Sequence, residues 1–348
     1  MPFLVFSQMF QKLVKYIIPV YLLIFLLQVR SVAQTFDWKA GYHGFFDNRE
    51  YFNRFTSDQT IFGSRIFAEA GFSINESNHF SVGLNALYEF GTKNHLKTPD
   101  IIFYYNATKE PFNFYLGSFP RWKLINQPLF LLTDTLNYYR PNVEGMFLSF
   151  RKKWGYHSLW LDWTSRQTNT TRETFLIGGT GHFDAGVFFY EHNFMMYHFA
   201  APSIPIPEDH LRDNGGLTAV LGVNLSSRLP VDSLTFSSGI ALSYDRLRNV
   251  YDFRFPVGWY SELYLGYKGF GIHGTFYIGD PQTVLYGDRF YGSKSYQRLD
   301  FYYSGIRSSF IEGKIRFSVH FVPGVIDYSQ MLVIYVSLDG HRQINRKF

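Results

Sequence analysis

The chain has 348 residues, of which 46% are hydrophobic, 20% are aromatic and 18% are charged, and its formal net charge is +5. This composition supplies ample apolar surface to bury, which excludes an intrinsically disordered chain. The lack of cysteine excludes a disulfide scaffold, a thiolate metal site and a cysteine nucleophile.

The first predicted element is an export signal over residues 1–33. Two lysines precede the uncharged stretch "YIIPVYLLIFLLQV", and the small residues of "SVA" stand just before Gln34. A membrane-spanning helix needs about 20 apolar residues, so this stretch is short for one. An uncleaved N-terminal anchor is the alternative, and either Met1 or Met9 can be the start of translation.

The net charge depends on this signal. Residues 1–33 contain Lys12, Lys15 and Arg30 but no acidic residue, so removing these three charges from +5 leaves +2 for residues 34–348. The basic character therefore gives no case for nucleic-acid binding, and the sequence shows no zinc-finger spacing or lysine-rich tract that would support one.

Residues 34–348 are dominated by strand periodicity. In "FIEGKIRFSVHFVPG", Ile315, Phe317 and Val319 alternate with polar or charged residues, as in an extended strand with one apolar face and one charged face. Counting such segments predicts about sixteen strands. They cover residues 36–48, 60–74, 79–91, 99–107, 112–119, 145–152, 156–166, 172–182, 186–199, 215–226, 234–246, 258–268, 270–279, 297–306, 309–321 and 328–338.

The connections between these strands alternate in length. Short turns such as "NESN" and "TKEP" follow even-numbered strands, whereas long stretches such as "APSIPIPEDHLRDNGG" follow odd-numbered strands. An up-and-down membrane barrel gives this alternation, with short turns on one side of the membrane and long loops on the other. The alternative is a soluble, secreted β-rich protein, which would need two packed sheets and Greek-key crossings.

A membrane barrel turns its apolar face to lipid and its polar face to a lumen, and closure satisfies every backbone hydrogen bond. In signal, strand rhythm and turn rhythm, the chain resembles Gram-negative outer-membrane β-barrel proteins, in particular their porin-like members. The resemblance implies one all-β domain over residues 34–348. This domain would be a transmembrane antiparallel up-and-down β-barrel of about 16 strands (14–16), located in the cell outer membrane.

The C-terminal segment departs from this family pattern. Members commonly end inside the last strand with a terminal aromatic residue, and Phe348 is aromatic here. The preceding residues of "GHRQINRKF" lack apolar alternation, however, so either a short tail follows the barrel or the last strand is misplaced.

The longest loop, "PRWKLINQPLFLLTDTLNYYRPNVE" (Pro120 to Glu144), is too apolar at its centre to stay in water. We expect it to fold into the barrel mouth or lumen as a constriction, and the alternatives are packing over a neighbouring loop or a longer strand. Inward charges of both signs argue against a lumen tuned strongly for anions or for cations. The lumen and constriction candidates are Arg121, Lys123, Arg140, Glu144, Asp162, Arg166, Arg298, Asp300, Glu312, Lys314 and Arg316.

The expected function is a porin-like channel for passive or weakly selective diffusion of small polar solutes. Two alternatives stay open, a structural or assembly barrel that partners an envelope complex and an outer-membrane lipid-modifying enzyme. We do not expect an enzyme, because the sequence contains no GxSxG, HExxH or phosphate-cradling glycine motif. The suggestive neighbours are His157 with Ser158, His182 with Asp184, and the pair His192 and His198.

His192 and His198 share one face of a predicted strand, but six extended residues separate them by about 20 Å, too far to ligate one metal ion. We therefore expect no metal site and no cofactor. The expected partners are outer-membrane lipid, small polar solutes, and either further copies of the chain or envelope proteins. Nucleic acid is not among them.

Overall fold

The computed structural model describes residues 34–93, 95–204 and 210–344. The predicted signal peptide, residues 1–33, lies outside the described residues. Among the described residues, no helix is long and apolar enough to cross a membrane. The elements are β1 (Gln34–Glu50), β2 (Gln59–Asn75), β3 (Asn78–Glu89), β4 (Asp100–Lys109), β5 (Phe112–Pro120), α1 (Thr135–Tyr139), β6 (Asn142–Lys152), β7 (Gly155–Ser165), β8 (Thr174–Ala185), β9 (Phe188–Phe199), β10 (Arg212–Asn224), β11 (Ser233–Leu247), β12 (Tyr251–Arg254), β13 (Val257–Tyr267), β14 (Phe270–Gly279), β15 (Ser295–Arg307), β16 (Ile311–Val322) and β17 (Val325–Ile344), with 3-10 turns at Ser226–Arg228 and Arg289–Gly292.

Sixteen of these strands close into a barrel. β1 pairs antiparallel with both β2 and β17, so the first and last strands join and the sheet closes on itself. The additional strand, β12, pairs with the end of β11 and lies outside the ring, because β11 also pairs with β13. The predicted all-β, up-and-down barrel is confirmed, and the soluble two-sheet alternative is wrong.

Each predicted strand corresponds to one barrel strand, and most boundaries agree within a few residues. The largest difference concerns the last strand, which was expected to end at residue 338. β17 instead continues to Ile344, which pairs with Gln34 of β1. Backbone pairing does not require apolar side chains, so the polar segment extends the strand even though it lacks alternation.

The two faces of each strand are sorted as in a membrane barrel. In β16, Ile315 and Phe317 leave 49% and 39% of their surface exposed on the outside, whereas Ser318 and His320 are buried. Soluble antiparallel sheets turn their apolar face inward. The inverted arrangement here matches a wall that contacts lipid.

The two ends of the barrel differ in their connections. At one end, β1 begins, β17 ends and tight turns join most strands, and we call this the short-turn end. We call the opposite end the long-loop end. One connection at the long-loop end is also short, the turn 323–324 between β16 and β17. The other connections at that end are residues 51–58, 90–99, 121–141, 166–173, 200–211, 248–256 and 280–294.

Two of these loops turn into the barrel and fill much of its interior. We call residues 121–141 the inner loop and residues 280–294 the second inner loop. Phe130 and Leu131 of the first loop and Phe290 of the second are fully buried, and they pack with inward side chains such as Trp160 and Met195. The apolar core of this protein therefore lies inside the barrel, between the loops and the wall.

Candidate functional site

The inner loop is tied to the barrel wall by ion pairs. Arg121 and Asp162 are both buried, and the guanidinium of Arg121 donates to the Asp162 carboxylate. Arg140 lies 3.4 Å from the other oxygen of the same carboxylate. These three predicted lumen residues come together in the structure, where they fasten the loop to β7.

A second charged group lies across the interior, on β15 and β16. Nε of Arg298 donates to Asp300 at 2.7 Å, and Nη2 of Arg316 donates to Asp134 of the inner loop at 2.8 Å. Nearer the short-turn end, Lys123 binds Glu312 at 2.6 Å. Nζ of Lys314 lies 4.8 Å above the ring of Tyr302 and faces an interior cavity.

Two of the predicted lumen residues do not lie on the inner face of a strand. Glu144 shares the parity of Met146 and Leu148, which lie on the outer face of β6, and is exposed there, so its placement in the constriction is wrong. Arg166 follows the end of β7 and is exposed in the loop 166–173, because the strand stops one residue earlier than predicted. Tyr291 and Tyr296 are buried in the interior core.

The inner loop separates two interior cavities of about 390 and 440 Å³. The first opens toward the long-loop end and the second toward the short-turn end. Leu129, Asp134, Arg298 and Arg316 line both cavities, so these side chains form the partition between them.

The outer wall carries a different arrangement near the long-loop end. One side chain from each of β7 to β11 stands in a single cross-strand row, which we call the outer-wall row. Backbone pairing aligns its members side by side in the order Trp163, Phe175, His198, Asp213 and Arg246.

Neighbouring residues show that this row faces outward. Tyr197 packs against Tyr286 of the second inner loop, with ring centroids 5.0 Å apart. Asn214 donates a hydrogen bond to a backbone carbonyl of the same loop. Successive side chains of a strand point to opposite faces, so His198 and Asp213 point away from the lumen.

The polar part of the row is a connected group. Nδ1 of His198 lies 3.2 Å from one carboxylate oxygen of Asp213, and Nε of Arg246 donates to the other oxygen at 3.1 Å. His198 stacks on Phe175 with ring centroids 4.8 Å apart, and the Arg246 guanidinium lies 4.2 Å above the ring of Phe253 in β12. The three polar side chains keep between 17% and 25% of their surface exposed.

This geometry suits general-base chemistry. A carboxylate that accepts from Nδ1 fixes the histidine tautomer and orientation and stabilises the imidazolium that forms on protonation. Nε2 is then the nitrogen that accepts a proton from water. The described residues contain no group of three or more His, Asp or Glu side chains placed to hold a metal ion.

Sequence reasoning found His198 but missed its partner. Asp213 lies on the next strand, across the loop 200–211, and only the register of β9 against β10 brings the two together. The available signal was that Asp213 lies two residues before the next predicted strand, in step with the alternate residues of that strand that include Leu217.

A closed barrel of sixteen antiparallel strands with an apolar outer face defines an outer-membrane β-barrel protein. The predicted resemblance to porin-like barrels and the predicted location in the cell outer membrane are confirmed. A family model described as "Lipid A 3'-O-deacylase-type" matches residues 30–338, and the chain belongs to this family. No curated protein matches the chain.

Several solved structures share the fold. A loop L8 deletion mutant of OmpT, an outer membrane protein of Vibrio cholerae, is 7% identical and aligns with a TM-score of 0.55 over 88% of this chain and 100% of its own. An anion-selective porin from Comamonas acidovorans is 9% identical, with a TM-score of 0.51 over 88% and 99% of the two chains. OpdO from Pseudomonas aeruginosa is 10% identical, with a TM-score of 0.51 over 87% and 97%. At this identity, the likeness shows the fold alone.

The family corrects one sequence-based expectation. We did not expect an enzyme, because no familiar catalytic motif appears in the sequence. The matching family is an enzyme family, so that expectation is wrong. A motif search detects only contiguous signatures, and residues that separate strands bring together leave none.

Proposed function

We propose that this protein is an outer-membrane hydrolase that removes an ester-linked acyl chain from a glycolipid of the lipid A type. The observation that carries the proposal is the His198–Asp213 pair on the outer wall of a barrel that belongs to a deacylase-type family. Long loops mark the extracellular end of such barrels. The outer-wall row therefore lies at the level of the outer leaflet, where a glycolipid presents its ester bonds.

The surroundings of the row suit a substrate that is half polar and half apolar. Trp163 stacks on Phe175, with ring centroids 5.1 Å apart, and aromatic rings of this kind favour the membrane interface. One step further toward the membrane centre, the same outer face carries Leu161, Ile177 and Met196. An acyl chain packed on this apolar surface would place its ester carbonyl near His198.

The chemistry follows from the two side chains. Nε2 of His198 takes a proton from a water molecule as its oxygen attacks the ester carbonyl carbon. Asp213 holds the imidazole in orientation and stabilises its positive charge, and Arg246 holds Asp213. When the tetrahedral intermediate collapses, the imidazolium returns the proton to the leaving sugar alkoxide, which gives a free hydroxyl group and a fatty acid.

The test uses purified protein reconstituted into liposomes that contain lipopolysaccharide, followed by mass spectrometry of the lipid A. We expect the loss of one acyl chain with the native protein and no loss with His198→Ala. His192→Ala is the matched control, because His192 lies on the same strand and the same face but near the short-turn end, and this variant should stay active. Unchanged lipid A with the native protein would refute the function, whereas an active His198→Ala variant would refute only the site.

A channel for small polar solutes is our second candidate function. It is favoured by the two interior cavities, which meet at Asp134, Arg298 and Arg316. Displacing the inner loop would join the cavities into one water-filled path. Stepwise conductance in planar bilayers supports this function if it increases on deletion of residues 122–140. Equal conductance with and without the loop would count against it.

A further inference from the structure

A second group of chemically suited side chains lies inside the barrel near the short-turn end. His79 of β3 stands near one partner on its own strand and two on neighbouring strands. Its Nε2 is 2.9 Å from the hydroxyl of Ser81. Its Nδ1 is 2.9 Å from the hydroxyl of Ser73 and 3.5 Å from the carboxylate of Asp37.

The strand register brings these residues together. Asp37 of β1 pairs with Gly71 of β2, and Gly71 pairs in turn with Ser81 of β3. His79 belongs to the adjacent row, two residues before Ser81, and must reach across β2 to approach Asp37. Serine, histidine and aspartate therefore meet through three strands, although no motif in the sequence links them.

Gly71 leaves the space that this approach requires. A Cβ at position 71 would collide with the carboxylate of Asp37 and would lie 2.6 Å from Cε1 of His79. Any other residue would push the imidazole and the carboxylate apart. The glycine thus permits the contact between His79 and Asp37.

Two of the three side chains, Asp37 and His79, are partly open to water. Asp37 and His79 keep 35% and 23% of their side-chain surface exposed, while Ser81 is buried beneath them. Lys39 follows Asp37 by two residues on the inner face of β1, about 7 Å along the strand. Lys39 also lines a neighbouring interior cavity of about 390 Å³.

We propose that Ser81, His79 and Asp37 form a second hydrolytic site, with Ser81 as nucleophile, that takes short water-soluble esters from the periplasmic side. Nucleophilic serine requires a base within hydrogen-bond reach and a group that orients the base. His79 lies within that reach of Ser81, and the carboxylate of Asp37 lies 3.5 Å from Nδ1, at ion-pair distance. The site lies inside the wall at the opposite end from the outer-wall row. It is independent of the proposed glycolipid hydrolysis.

The reaction balances with water as the only co-reactant. Ser81 Oγ attacks the ester carbonyl carbon as its proton passes to Nε2 of His79. The C–O bond to the leaving alcohol breaks, and the imidazolium protonates that alcohol. Water then attacks the acyl-serine and gives its proton to His79, which returns it to Ser81 Oγ as the carboxylic acid leaves.

The test is covalent labelling of the full-length, detergent-purified protein with a fluorophosphonate, followed by peptide mass spectrometry. We expect a phosphonyl adduct on Ser81, and a decrease of at least about 100-fold in its rate of formation with His79→Ala, as for loss of a general base. Ser73→Ala is the matched control, because it removes the second hydroxyl group that contacts His79 but leaves the nucleophile Ser81 in place. It should still be labelled.

Gly71→Ala separates a reactive site from a merely structural network. This variant keeps all three residues but moves His79 away from Asp37, so the rate of labelling at Ser81 should decrease. The barrel should still migrate as a folded species in unboiled detergent gels. Native protein that is folded yet unmodified at Ser81 would overturn the proposal. Equal labelling of native protein and His79→Ala would overturn it as well.

Discussion

Asp134 of the inner loop and Arg316 of β16 form an ion pair of 2.8 Å at the partition between the two interior cavities. Burial by itself raises the pKa of Asp134, but the guanidinium of Arg316 outweighs it and holds the pKa below its ordinary value. The carboxylate is therefore ionised at neutral pH. A charge-assisted hydrogen bond then fixes the middle of the inner loop to the wall.

The first prediction concerns this partition. Asp134→Ala removes the anchor at that point and leaves Arg316 without its partner, so the loop should move more and the barrel should conduct more often in planar bilayers. The charge-swapped double variant Asp134→Arg with Arg316→Asp restores the attraction and should return conductance toward the native level. If Asp134→Ala and the native protein conduct equally, the pair does not close the path.

The second prediction concerns stability. Arg121→Ala removes the buried cation from the Asp162 carboxylate and leaves it only the more distant Arg140. Loss of one partner of a buried ion pair costs about 3–5 kcal/mol. The folded band in unboiled detergent gels should therefore disappear at a lower temperature. Arg140→Ala is the control, because Arg140 is 32% exposed and 3.4 Å from Asp162, so its loss should matter much less.

A third prediction tests which charges face the lumen. In a variant that lacks residues 122–140, Lys314→Glu should shift ion selectivity toward cations, because Lys314 faces the interior cavity. Glu144→Lys is the matched control, since Glu144 lies on the outer face and should leave the selectivity unchanged. Reversal potentials in a salt gradient measure both. Equal shifts in the two variants would contradict the assignment of faces.

The barrel could be predicted from the sequence because period-2 alternation and turn length are local properties. Each strand and each connection shows them without reference to the rest of the chain. The same parity placed Asp162, Arg298 and Arg316 on the inner face. Glu144 was misplaced for another reason: it was expected in the long loop, but β6 already begins at Asn142, so Glu144 is a strand residue on the outer face.

Contacts between side chains on different strands could not be predicted from the sequence, for a physical reason. The approach of Asp213 to His198 and of Asp37 to His79 depends on the register of neighbouring strands. Register is set by pairing across the closed sheet, and no single segment contains that information. No sequence motif therefore marks either candidate site, although the barrel wall on which both lie was predictable.

The last prediction separates the roles of Asp213 and Arg246 in the outer-wall row. Asp213 contacts the imidazole itself, so Asp213→Asn should leave lipid binding intact but decrease kcat by about 10²–10⁴-fold, as expected when a histidine base loses the carboxylate that fixes its tautomer. Arg246 contacts only the carboxylate within this group, so Arg246→Ala should decrease kcat much less, and Arg246→Lys should recover part of the loss because it keeps the charge.

Deacylation rates measured over a range of lipopolysaccharide concentrations in liposomes distinguish kcat from KM. If Asp213→Asn instead raises KM with kcat unchanged, Asp213 serves to bind the glycolipid, and His198 acts without a carboxylate partner.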